Sequence, residues 1–243
     1  MIGFHVELKD GWQEFLNLLV QANVKTVKLQ IPLDVHSADV VQACDFIYRN
    51  KMEAYVSIFD VRQEEVQHDP IYKYMLKRDW LFGRYNDVLR WISRSEYPHI
   101  IGISLIENAH RLVRTKEYGF SRREVREVQQ RIVEVIGGRF PTVLQCREED
   151  LKADHWKGVD CDIYDLKGTT TPKSHDKPVW VSGIRVEKGS VIKSQQEKVL
   201  KAAQMCRAER TFIYSRDADG FRWGSVIRGR DFSEKSIRSY KAE

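Results

Sequence analysis

The sequence predicts a (β/α)8 barrel, with residues 1–243 forming a single domain. Three observations predict it. Short runs rich in β-branched residues alternate with amphipathic segments from one end to the other, eight such runs can be counted, and 243 residues suit an undivided α/β barrel. An open doubly wound sheet shares the alternation, but the count of eight favours closure.

The elements follow in order. Ile2–Glu7 reads as the first strand, and Asp10 with Gln13 signals a helix over Gly11–Gln21, whose Trp12, Phe15, Leu16, Leu19 and Val20 share a face and which Asn23 can end. Thr26–Ile31 is the second strand. Ser37 is the expected cap of the next helix, with Val40, Cys44 and Ile47 at helical spacing and Asn50 closing it. Glu53–Phe59 is the third strand. After it come the helix start Asp69-Pro70 and a helical pattern through Trp80, Leu81, Val88, Leu89 and Ile92. The fourth strand opens the stretch Ile100–His110. Ser121 and Glu124 form a capping box before Val125, Val128, Ile132 and Val135, and Gly137-Gly138 stops that helix. Pro141–Gln145 is the fifth strand, followed by a short helix ending near Trp156; Val159–Tyr164 is the sixth and Lys177–Ile184 the seventh. Ser194 with Glu197 is the expected cap of a helix through Val199, Leu200, Ala203 and Cys206. Arg210–Tyr214 is the eighth strand, and Ser233–Tyr240 a closing helix.

Composition narrows the function classes. Lys and Arg number 40 against 35 Asp and Glu, a net charge of +5 spread along the chain without a basic run, which does not favour a nucleic-acid partner. No stretch approaches the ~20 apolar residues that cross a bilayer, so no membrane partner is expected. Cys44, Cys146, Cys161 and Cys206 are far apart and read as buried thiols. No histidine spacing suits a metal, and no GxGxxG, Walker loop or GxSxG occurs, so neither metal nor cofactor is expected. The N-terminus shows no basic n-region before an apolar core, an expectation of no signal peptide. That fits a cytoplasmic protein, or one released or particle-associated without a signal, where a protein partner in an assembly is a further option.

In a parallel barrel, the carboxyl ends of the strands carry the chemistry. Ile100–His110 (IIGISLIENAH) delivers Glu107, Asn108 and His110 from an apolar strand to that edge. The other strand ends add His5, Glu7, Asp60, Glu148, Asp162, Tyr164, Asp165, Tyr214 and Asp217. Trp180 and Trp223 lie close by in sequence. Paired carboxylates beside flat rings suit a sugar, because glycoside cleavage needs an acid and a base or nucleophile and rings stack on pyranose faces. Glu107 is the candidate proton donor, with Asp162 or Asp165 opposite as the catalytic partner. The remaining polar residues and rings are candidate substrate contacts.

At these residues the chain resembles the large clan of (β/α)8 glycoside hydrolases that includes cellulases and mannanases. In that clan strand four ends in Leu-x-Asn-Glu-Pro, and strand seven often reads Lys-Pro-x-x-x-x-Glu. Here the stretches are Leu105-Ile106-Glu107-Asn108-Ala109-His110 and Lys177-Pro178-Val179-Trp180-Val181-Ser182-Gly183, and the C-terminal stretch carries a similar Trp223-Gly224 pair. Aligned strictly, Asn108 takes the acid/base position and Gly183 the nucleophile's. The resemblance therefore implies a carbohydrate ligand and leaves three functions open: a hydrolase with a rearranged pair, a barrel that has lost catalysis and serves as a binding or structural module, and different chemistry on a phosphorylated sugar bound near Gly183, Gly189, Gly220 and Gly224.

Overall fold

Eight strands, β1 (Ile2–Glu7), β2 (Thr26–Ile31), β3 (Glu53–Ile58), β4 (Ile100–Ser104), β5 (Thr142–Cys146), β6 (Ile163–Lys167), β7 (Val179–Ile184) and β8 (Arg210–Tyr214), run parallel and close into a barrel in sequence order, β1 pairing with β8. The computed structural model describes residues 1–32, 35–58, 84–107, 109, 121–147, 161–167, 176–184, 192–214, 227 and 230–233. The expected helix near Trp156, the closing helix beyond Ser233, Asp69-Pro70, Trp80 and Leu81 lie outside them.

Five helices cover the barrel among the described residues: α1 (Trp12–Gln21), α2 (Ser37–Arg49), α3 (Arg84–Arg94), α4 (Arg122–Ile136) and α5 (Ile192–Met205). Each lays an apolar stripe on the sheet, as Leu16 and Leu19 do from α1 and Val40, Ala43 and Ile47 from α2. Helix α4 begins with the expected capping box, Ser121 Oγ accepting from Glu124 N at 3.2 Å and the Glu124 carboxylate accepting from Ser121 N at 2.8 Å. It ends at Gly137, whose φ of 61° is the left-handed conformation a glycine reaches without strain.

Three local expectations are corrected. Ser37 is the first residue of α2 and His36 holds the cap position, without a side-chain cap bond. Ser194 lies inside α5, past the position a cap residue takes. The sixth strand is Ile163–Lys167, not Val159–Tyr164, because Asp162 ties down its entry: Asp162 Oδ2 accepts from Thr142 N at 2.8 Å and Thr142 Oγ1 at 3.0 Å, which sets Ile163 beside Val143.

Strand alternation sends one set of side chains to the helices and the other into the barrel. The register stacks the inner set in layers drawn from alternate strands, the packing expected of such barrels. Gly3, Tyr55, Val143 and Trp180 make one layer, and Lys28, Ser104, Asp165 and Phe212 the next. His5, Ser57, Gln145 and Ser182 lie nearest the carboxyl ends. Tyr55, Trp180 and Phe212 pack ring to ring, with centroids 5.1–6.0 Å apart. The glycines make room for them, since a Cβ on Gly3 would lie 2.5 Å from the Thr26 carbonyl oxygen and one on Gly102 would lie 2.9 Å from Val143 and 3.3 Å from Trp180. The interior thus turns from aromatic to wholly polar toward the strands' carboxyl ends.

Candidate functional site

The polar layers are held together by Lys28, a lysine in the middle of β2 between Val27 and Leu29. It is only 2% exposed, and its stem crosses the barrel interior. Its ammonium meets Glu107 Oε1 at 2.5 Å, Asp165 Oδ2 at 3.0 Å and Ser182 Oγ at 3.1 Å, so each of its three N–H bonds has an acceptor. Ser182 Oγ accepts from Gln145 Nε2 at 3.1 Å and donates to Asp165 Oδ2 at 2.9 Å. Ser57 Oγ donates to Glu107 Oε1. Four strand positions and the turn after β4 therefore converge, directly or through one another, on one buried cation.

Electrostatics keep that cation charged. Burial pulls the Lys28 pKa down, but the adjacent Asp165 and Glu107 carboxylates more than offset it, and the net shift is upward. The Tyr55 ring lies 5.0 Å beneath the ammonium. Burial, reinforced by the charges of Asp165 and Glu107, raises the Tyr55 phenol well above its usual range, so it stays protonated. Tyr55 OH and Asp165 Oδ1 have no hydrogen-bond partner of normal geometry among the described residues.

Of the expected site residues, Glu107 and Asp165 come together on Lys28. His5 faces the interior on β1, stacked on Tyr214 with centroids 4.7 Å apart. Glu7 lies at the end of β1, 3.3 Å from Lys9. Three expectations are corrected. Asp162 precedes β6 and bonds Thr142 at the opposite, amino-terminal end of the barrel. Tyr164 alternates with Asp165 and so points outward, packing against the core beneath the helices. Trp180 is 2% exposed in the aromatic layer below the network, with the Arg210 guanidinium 5.6 Å from its ring, and offers no face to a ligand. Asp60, Asn108, His110, Glu148, Asp217 and Trp223 lie outside the described residues.

Strand-end reasoning passes over Lys28, Tyr55 and Ser57 because they sit inside strands. The signal was present: in TVKLQI, Lys28 and Gln30 alternate with Val27, Leu29 and Ile31, which marks an inward face that is polar. On β7, Gly183 takes φ 79° where the β7–β8 register shifts. A residue with a side chain would be strained there.

Solved structures share this architecture. A β-1,4-D-mannanase from Cryptopygus antarcticus superposes with a TM-score of 0.59 at 8% identity, covering 97% of this chain and 92% of its own. An endo-1,4-β-mannanase from Eisenia fetida gives 0.56 at 10% identity, over 95% and 91%. A β-glucosidase from Thermotoga maritima gives 0.52 at 10% identity, over 93% and 87%. The likeness is one of fold. No protein-family model matches the sequence, and no curated protein matches it. The chain thus has the (β/α)8-barrel fold. Among the described residues no group of His, Cys, Asp or Glu could hold a metal ion, and no helix is long and apolar enough to cross a membrane.

Proposed function

We propose that the barrel recognises a poly- or oligosaccharide at the carboxyl ends of its strands, and that its central carboxylates fix charge there without cleaving the glycosidic bond. The observation that carries this reading is the sharing of one ammonium, Lys28, by both Glu107 and Asp165. A glycosidase acid must hold a proton to give to the leaving oxygen. Glu107 Oε1 instead accepts from an ammonium and from the Ser57 hydroxyl, an environment built for the carboxylate form. Gly183 leaves β7 without a carboxylate at the position where the resembled clan carries its nucleophile. The shared fold with proteins named as mannanases and a β-glucosidase supports a carbohydrate ligand.

One observation favours hydrolysis as the second reading. Two oxygens at 2.5 and 3.0 Å from one nitrogen are no further apart than the sum of those distances. Two carboxylates held that near each other share the opposed-acid arrangement that glycoside cleavage uses. The deciding experiment offers the purified protein β-1,4-mannan, cello-oligosaccharides and peptidoglycan, and scores both affinity and release of reducing ends. Binding without release is expected. Release that disappears in Glu107→Gln would establish the hydrolase instead, and a failure to bind any glycan would refute both.

A further inference from the structure

At the amino-terminal end of β4, away from the carboxylate network, four rings and one acid form a second cluster that the carbohydrate reading does not use. His99 is 9% exposed, and its ring nitrogens make no hydrogen bond of normal geometry among the described residues, the Cys44 backbone being the polar group they approach. Tyr97 lies edge-on to it with centroids 5.2 Å apart, and Tyr48 of α2 lies tilted over it at 5.3 Å. Trp91 of α3 packs on Tyr97 at 5.4 Å. The carboxylate that acts on His99 is Asp45 of α2, whose Oδ1 accepts from Tyr97 OH at 2.5 Å. His99 is anchored through its backbone, because its carbonyl accepts from Ala54 N of β3 at 2.9 Å.

We propose that Asp45 is the shared seat of an acid-operated latch, in which protonated His99 displaces the Tyr97 hydroxyl from the carboxylate and loosens the Tyr48–Tyr97–Trp91 contacts that join α2 to α3. A neutral imidazole beside the Cys44 backbone makes no hydrogen bond to Asp45 as long as Tyr97 holds that carboxylate. An imidazolium carries two donors and a charge, and a carboxylate beside it is its natural partner. The groups that face His99 are Asp45, Tyr48 and the backbone of Cys44 on α2, and Tyr97 on the segment before β4; Arg49 acts on Tyr97 from the same helix. Asp45 is the sole carboxylate in that set.

The direction follows from burial. Desolvation is the largest influence on His99 and holds it at about 4 in the closed arrangement, against the attraction of Asp45. A latch that opens gives the ring its ordinary ~6.5, or higher when paired with Asp45. Lowering the pH across that window therefore favours the exchanged state by up to about tenfold per pH unit.

The test is an NMR titration of the His99 ring in the full chain, alongside Trp91 emission, from neutral pH down to about pH 4. The two signals are expected to change together. Tyr97→Phe, which keeps the ring and removes the competing hydroxyl, is expected to move the His99 midpoint upward, and Asp45→Asn to move it downward. His99→Phe should abolish the emission change while far-ultraviolet circular dichroism stays unaltered. A midpoint unmoved by Tyr97→Phe, or an emission change that persists in His99→Phe, would overturn the latch. None of these readouts depends on glycan binding.

Discussion

Lys28→Met removes the cation and leaves the shape of its stem. In the folded protein the ammonium holds two carboxylates and a hydroxyl at 2.5–3.1 Å, all of them buried. Without it, Glu107 and Asp165 face each other in a site 0–2% exposed. Breaking a buried ion pair by deleting one partner costs about 3–5 kcal/mol, chiefly because the surviving charge has lost its solvent and its counter-ion. Here two like charges survive, so a loss at the upper end of that range is expected. Exchanging the whole set for neutral groups, as in Lys28→Met with Glu107→Gln and Asp165→Asn, is expected to recover most of it. The assay is urea unfolding of the three proteins at neutral pH, repeated under mild acid, where protonating one carboxylate should shrink the single variant's deficit. A loss below about 1 kcal/mol for Lys28→Met, or a triple variant no more stable than the single one, would refute the claim that this lysine organises the interior. The sign at high pH is also fixed. The folded Lys28 pKa lies above its usual value, so its contribution is complete below about 10.5 and is lost only as the pH rises through the folded value.

Two further outcomes are expected. Gly3→Ala forces a methyl group to within 2.5 Å of the Thr26 carbonyl oxygen and 2.7 Å of Thr26 Cγ2, a backbone clash that should cost ~1–3 kcal/mol in thermal or urea unfolding. Ser121→Ala removes the hydroxyl that receives Glu124 N at the start of α4 and should cost ~1 kcal/mol, with no change in glycan affinity.

The sequence alone determined the architecture and several element boundaries. β1, β2 and β8 match their apolar runs residue for residue, and the Ser121/Glu124 box and Gly137 bound α4 as read, because those signals are local: strand alternation, a cap three residues from its partner, and a glycine free to take positive φ. It also brought Glu107 and Asp165 to notice as acids at the ends of strands. Which acids share a site was a different matter. Asp162 and Asp165 are three residues apart, yet the pairing of β5 with β6 sends one to the amino-terminal end and the other to the centre of the barrel. Lys28 lies 137 residues from Asp165 and 154 from Ser182, so nothing near it in the chain announces its partners. Only closure of the sheet brings those groups within bonding distance. Side-chain periodicity fixes which face a residue takes, but the shear of the closed barrel decides which residues meet across its interior.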